Sequence, residues 1–361
     1  MEKFKRILQY CGVCIAFYIG AGFATMQEVM QYEASYGSKF WMVIAVCAVI
    51  YVYTNLSFIS NGNRLHVKNN GDIYKAYCGK YIGKFFDYFS SLICYMSFVV
   101  MCGGANSTAI EQWGLPNGAG ALILTLLVVG TAIFGLKGII KALGILGPII
   151  ILSIDTVAGF TAYNGWGNFQ EGLYAVDNHL YNIPQIGGGN FVASGASYGG
   201  FVILWFAAFL SSIGAKHNPH EVRLGMALST LAIFGVAVLC CIALIANIKI
   251  TWNVGVPALA LAKTIHPILA QIFAIIIFIG IFTSACPLLW TGVRKLSEEG
   301  TAIYKLLTIV CGIVGCLIAC FVPYQPLLNI LYGLNGYLGF ILVAFMILND
   351  IRVFIKNRHA R

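Results

Sequence analysis

Ten residues near the N-terminus, Ile19-Gly20-Ala21-Gly22-Phe23-Ala24-Thr25-Met26-Gln27-Glu28, set two glycines and three polar side chains into an otherwise apolar run. Glycine is weak in a helix interior because it gives up more backbone freedom than alanine. A break at membrane depth is tolerated only where it lines a protein-enclosed or watery cavity. Half-helices meeting there expose N–H groups that attract an anionic group and C=O groups that coordinate a cation. The pattern therefore predicts a solute site built from Gly20, Ala21, Gly22, Thr25, Gln27 and Glu28, with the Gly20 to Gly22 amides available to a carboxylate. Close helix packing through small residues is the alternative, but it leaves Thr25, Gln27 and Glu28 without a reason to stand there.

A later apolar run repeats the peculiarity, with Ser194, Gly195, Ser197, Tyr198, Gly199 and Gly200 in its outer half ahead of Trp205 and Phe206. It is expected to break there too, with Ser197, Tyr198 and Gly199 facing the solute. Acids inside apolar spans cost about 2.5–3.5 kcal/mol at the helix centre even on lenient insertion scales, so each calls for a partner or a function. Glu28 and Asp155 stand out on this ground, and Asp155, among Leu152, Ser153, Ile154 and Thr156, is the proton-coupling candidate. Asp87, Glu111 and Asp350 lie near span ends and are expected to be solvated. Tyr95, Ser97 and Asn106 could all line the pocket, and nothing in the sequence fixes the rotation that would choose among them.

The remaining chemistry is sparse. No aspartate-rich prenyl-diphosphate motif, H-E-x-x-H or G-x-S-x-G is present to hold a metal or a nucleophile, so an enzyme is not expected. The 12 cysteines are scattered through apolar spans and read as small buried hydrophobes. Cys11 and Cys14 form a C-x-x-C without the second pair or histidines of a zinc site. No resident cofactor is expected.

These residues need elements to hold them, and the composition says which kind. Of 361 residues 59% are hydrophobic and only 10% charged, against about 25% charged in soluble domains. Apolar runs fall near 7–33, 40–61, 85–109, 118–135, 139–163, 194–215, 221–247, 266–292, 303–322 and 325–355. Each is close to the ~20 residues that cross a bilayer. The expectation is a single all-α integral membrane domain of ten transmembrane helices spanning residues 1–361. Met1 to Arg6 resembles the basic flank of a signal peptide, but the apolar run continues without an A-x-A site and is kept as a first span. Of the 22 Lys and Arg, all but Lys39, Lys249 and Lys263 fall on the side of the termini. Positive-inside bias then places both termini in the cytoplasm of a cell-membrane protein, and the net charge of +9 is topology rather than a nucleic-acid surface. Residues 72–86 are expected to form a short surface helix, and Pro257 to Lys263 a lid helix.

The two glycine-rich runs are the first in each of two sets of five. Because five is odd, the second set starts from the opposite face, so 7–163 and 194–355 are expected to form an inverted repeat about an axis in the membrane plane. Corresponding interrupted helices in two such halves, here the first and sixth, point to a transporter site.

The opening Gly20-Ala21-Gly22-Phe23-Ala24 with Gln27-Glu28, the length and the ten runs together resemble the YkvI-type bacterial membrane proteins of the amino acid–polyamine–organocation superfamily, which has the LeuT-type fold. Met26 departs from the small residue expected there. The resemblance covers the whole chain. It implies a five-plus-five inverted repeat with solute held between spans one, six, three and eight. In sodium-coupled relatives a cation sits between span-one carbonyls and span-eight hydroxyls. Gly280-Ile281-Phe282-Thr283-Ser284 matches that pattern, with Ala16 and Ile19 at the carbonyl positions. The alternative is that Thr283 and Ser284 bond to a carbonyl one turn earlier, as in many membrane helices. Gly138 and Pro148 in span five resemble a motif at which related helices unwind.

The expected function is a secondary active transporter, a cation-coupled symporter of a small polar solute such as an amino acid or amine. Sodium is the expected coupling ion and a proton the alternative. The partners are then the solute and the lipid bilayer, with no nucleic acid. A transporter-like receptor that binds a solute without moving it is the other reading.

Overall fold

In the computed structural model, which describes residues 2–67, 71–322 and 324–359, every regular element is a helix. Lys68 and Arg361, both counted in the charge partition, lie outside the described residues. An all-helical design follows from the solvent: lipid offers no hydrogen bonds, so backbone groups must be satisfied within the segment. The order is α1 Glu2–Tyr18, α2 Ala21–Ala24, α3 Phe40–Leu65, α4 Gly71–Trp113, α5 Ala119–Ala132, α6 Gly135–Gly165, α7 Phe169–Asp177, α8 Phe191–Lys216, α9 Pro219–Ala246, α10 Ile248–Thr251, α11 Pro257–Ile265, α12 Pro267–Arg294, α13 Ala302–Phe321 and α14 Tyr324–His359. Between α2 and α3 the chain passes through a π-helix, Val29–Glu33, and a 3-10 helix, Ala34–Lys39.

Each of the ten expected apolar runs coincides with a helix or, for the first, with an interrupted one. Among the described residues eight helical segments are long and apolar enough to cross a bilayer, while α1 with 17 residues and α5 with 14 fall short of that length. Two surface elements were legible in outline. Residues 71–78 are set off from the rest of α4 by Gly79, whose φ of +75° no ordinary side chain adopts comfortably. A short helix, Pro257–Ile265, stands where Pro257 to Lys263 was expected to form one, whereas α7, inside the long loop, was not foreseen.

The helices differ sharply in enclosure. The apolar stretch of α8 is 94% buried and that of α13 only 33%, so α8 is a core helix and α13 is peripheral. Around α8 pack α3 and α14, and around α1 pack α6 and α9; α4 pairs with α12, α4 with α5, and α12 with α13. Exchanging α1 with α8, α3 with α9, α4 with α12, α5 with α13 and α6 with α14 maps α4–α12 onto itself and each of the other pairs onto another pair in contact.

The sixth span is not broken. Phe191–Lys216 is one continuous helix, capped by the Asn190 side chain, which accepts from the Val192 and Ala193 amides. Its glycines serve packing. A Cβ at Gly195 would meet the Val43 carbonyl at 2.7 Å, one at Gly199 would meet Ile50 Cγ2 at 2.9 Å, and one at Gly200 the Gly336 carbonyl at 2.5 Å. Lacking side chains, they let α3 and α14 approach the α8 backbone, the small-residue mode of helix association in membranes. The same device joins α1 to α6, where Gly12 faces Gly144 and Gly147.

Candidate functional site

The first span does stop being helical where its glycines stand. The α1 helix ends at Tyr18, and Gly20 is extended at φ −81°, ψ −169°. Four residues of α2 follow before Met26 takes φ +61°. That left-handed conformation favours glycine, which gives the unexpected size of Met26 a local cost. Thr25 ties the turn together: its Oγ1 donates to the Gly22 carbonyl (3.1 Å) and accepts from the Gln27 amide (3.4 Å). The Thr25 carbonyl accepts from the Ala258 amide (3.0 Å), so the first turn of α11 rests on the break.

Across from the end of α1, α12 presents two adjacent hydroxyls. Thr283 Oγ1 donates to the Ala16 carbonyl (2.8 Å), and Ser284 Oγ lies 3.2 Å from that carbonyl and 3.0 Å from the Phe17 carbonyl. Thr283 Oγ1 is also 2.9 Å from the Gly280 carbonyl one turn earlier, so its single proton has a local and an interhelical acceptor within reach. The Ile19 carbonyl is 3.5 Å from where a Gly280 Cβ would be. Ala16, Ile19, Gly280, Thr283 and Ser284 are therefore gathered at one point, all buried. Neutral hydroxyl and carbonyl oxygens of this kind suit a small hard monovalent cation.

One turn away, the space beside Gly22 is occupied by the protein's own carboxylate. A Cβ on Gly22 would overlap the Glu28 carboxylate, and the Tyr198 hydroxyl donates to Glu28 Oε2 (2.9 Å). Tyr198 in turn stacks on Tyr32 with ring centroids 4.5 Å apart and 14° between planes. Behind them Trp205 Nε1 donates to Ser97 Oγ (3.0 Å). Gly22, Glu28, Ser97, Met101, Phe201 and Trp205 enclose a cavity of about 10 Å³, measured as space open to a water's centre, which holds about one water. A larger cavity of about 460 Å³ lies between α7 and α10 and touches none of these residues.

Several expectations change on this geometry. Glu28, Tyr198, Ser97 and Trp205 are brought together. The Ala21 amide points at Met101 Sδ (3.3 Å), a weak acceptor, and α2 has too few residues for a strong dipole. The carboxyl group beside Gly22 at the break belongs to Glu28. Ser197 lies against Gly336 of α14, and Gly199 against α3. Gln27 is buried near the break, and its Oε1 has no hydrogen-bond partner among the described residues. Asp155 is exposed on the outer face of α6 together with Leu152 and Thr156; helical rotation turns it away from the core, and the proton-coupling role loses its geometric basis. Asp87 is not solvated but buried and ion-paired with Lys295. Asn106 and Tyr95 serve structure: Asn106 holds Asn117 and the Gly118 amide, and Tyr95 reaches the Cys311 carbonyl.

Two residues went unnoticed in the sequence. Met101 covers the break from α4, and no pattern marks it. Glu33 closes the first apolar run and is fully buried, as is the whole π-helix Val29–Glu33 that carries it.

No family model and no curated protein sequence matches the chain. Its fold does have relatives among solved structures. A Na+-coupled sialic acid symporter aligns with TM-score 0.67 at 13% identity, covering 95% of this chain and 78% of that one. Mhp1, a nucleobase-cation-symport-1 family transporter, aligns with TM-score 0.61 at 16% identity over 90% of this chain and 74% of that one. A point mutant of the Eremococcus coleocola manganese transporter aligns with TM-score 0.57 at 14% identity over 95% of this chain and 78% of that one. Each of these neighbours is a transporter by description, one of them Na+-coupled, and this chain is a multi-pass membrane protein sharing their fold.

Proposed function

We propose that the protein is a secondary active transporter, a symporter that couples a monovalent cation, sodium, to a small polar solute carrying an amine. The observation that carries the reading is the meeting of Thr283 and Ser284 with the Ala16 and Phe17 carbonyls at the broken end of α1. A cation held there would join α12 to the break and so bias the position of the half-helix that borders the Glu28 cavity. Glu28 is the counter-charge for the solute's amine, oriented by Tyr198, while Trp205 and Phe201 supply an apolar wall for the rest of the molecule. An amino acid or a simple amine meets these demands, and with room for only about one water the described arrangement is closed around the site. Solute entry requires Glu28, Tyr198 and their neighbours to separate.

On this reading the helices form ten spans in a five-plus-five inverted repeat, α1 and α5 crossing despite their length by virtue of the segments that extend them. The recurring helix pairs support that arrangement. The charge bias supports termini on the cytoplasmic side of the cell membrane. The decisive experiment is ligand-induced stabilisation of purified protein against amino acids and amines in sodium or in choline chloride, since a ligand of the folded state raises its apparent stability. Sodium-dependent stabilisation is expected in the wild type, and Thr283→Ala with Ser284→Ala should abolish the sodium dependence. Stabilisation equal in both salts and unaffected by the double change would remove the ion site from the mechanism.

A further inference from the structure

Glu33 has no part in the solute or cation site, yet it is 0% exposed. Its Oε2 accepts only from the Cys241 thiol, at 3.7 Å, and Oε1 has no hydrogen-bond partner among the described residues. No salt bridge reaches it among those residues, and the nearby carboxyl group, Glu28, is another acid and offers no counter-charge. The titratable groups around it are all neutral acids by nature: Tyr18 from α1, Cys47 from α3, Tyr198 from α8, and Cys240 and Cys241 from α9. An ionised carboxylate in such surroundings bears the full cost of leaving water with neither a cation nor strong donors to offset it. A carboxylic acid bears much less.

The surrounding backbone shows what would change this. Carbonyls of the π-helix Val29–Glu33 and of the 3-10 segment that follows it accept bonds from the long outer loop and from α8. The Ile186 amide donates to the Gln31 carbonyl (3.2 Å), Ser194 Oγ to the Tyr32 carbonyl (2.7 Å), and Gln185 Nε2 to the Ser35 carbonyl (2.9 Å). Breaking these three bonds would free the segment that carries Glu33 and let water reach it. π-helical turns of this kind recur at functional sites because they misalign the ladder locally.

We propose that Glu33 is a proton-binding site of the closed bundle: it holds a proton while the Val29–Glu33 segment is latched, and releases that proton to water when the segment opens. The ligand is H+, and the group that loses it is the Glu33 carboxyl. The site stands on its own geometry, whereas a role in coupling rests on the transporter reading above. Asp155, on the exterior of α6, is not needed for it.

Infrared spectroscopy of the full chain in lipid membranes tests the site without any solute or flux. The C=O stretch of a protonated carboxylic acid should be present at neutral pH, absent from Glu33→Gln and retained in Glu28→Gln. Cys241→Ser, which replaces a weak thiol donor by a hydroxyl, should displace the same band, and this arm decides the question if Glu33→Gln does not fold. A neutral-pH spectrum identical in wild type and Glu33→Gln, or a band that Cys241→Ser leaves in place, would overturn the proposal. Either result stands whether or not the protein proves to transport, so failure here and failure of the transporter reading remain distinct.

Discussion

At the scale of single residues, the break is shaped by a mutual fit between Gly22 and Glu28. Gly22 has ordinary helical backbone angles available to any residue, so its small size matters only for the carboxylate that lies where a Cβ would be. Gly22→Ala should therefore destabilise the protein by about 1–3 kcal/mol, the usual cost of overpacking. The same change in a Glu28→Ala background should cost little, since the obstructing carboxylate is gone. A double-mutant cycle on unfolding free energies reads this coupling directly. Additive costs would mean that Glu28 does not occupy the break. The cycle is worth doing because it also fixes where the negative charge of the proposed solute site resides.

Among the elements, α8 and α1 make opposite use of the same residue type. In α1 the chain abandons helical geometry at Ile19 and Gly20 and resumes it at Ala21, whereas in α8 the three glycines at 195, 199 and 200 remain helical, Gly195 and Gly200 facing neighbouring backbones and Gly199 the Ile50 side chain. Gly200 meets Gly336 and Gly339 of α14, three small residues that together bring two helices nearly into backbone contact. Gly200→Leu should then separate α8 from α14 and lower stability by about 1–3 kcal/mol or more, seen as a reduced melting temperature in detergent, while Gly130→Leu, at a position with open space around it, should change little. If Gly200→Leu were as harmless as Gly130→Leu, the close approach of α8 and α14 would be wrong.

On the scale of the whole molecule, the ends of several helices are tied by one carboxylate. Glu299, in the turn between α12 and α13, accepts from Arg294 Nη1 (2.6 Å), from Trp290 Nε1 (2.9 Å) and from the Leu136 amide at the start of α6 (3.4 Å). Burial opposes the ionised form, but Arg294, Lys216, the Trp290 N–H and the Leu136 amide outweigh it and hold the Glu299 pKa below the ordinary value. A depressed carboxylate pKa stabilises the fold at pH values above the unfolded-state pKa, and that contribution is lost as pH falls through the folded-state pKa. Glu299→Gln should lower stability at neutral pH by about 1.5–3 kcal/mol, the range for hydrogen bonds to charged groups. The difference from wild type should shrink as the solution is acidified below the ordinary carboxylate range. Melting curves of both proteins across that range measure it, and a difference that does not change with pH would deny Glu299 its charge-based role.

What the sequence determined by itself is what depends on composition and local pattern. Ten apolar runs separated by polar turns dictate a helical membrane bundle, because lipid leaves the backbone no other way to satisfy its hydrogen bonds. Glycines beside Thr25 and Glu28 marked the interruption of the first span, and the Thr283-Ser284 pair was legible through resemblance. The tertiary structure decided everything that turns on rotation and neighbours. About half a helix turn separates a core position from an outward-facing one, so Asp155 could be exposed and Ser97 enclosed although both sit within apolar runs. Glycine reads the same in sequence whether it frees a backbone or admits a neighbour, and only the approach of α3 and α14 shows that α8 uses it for the second purpose. Glu33 stands at the edge of its run, and a π-helix and the chain packed over it leave that carboxyl buried.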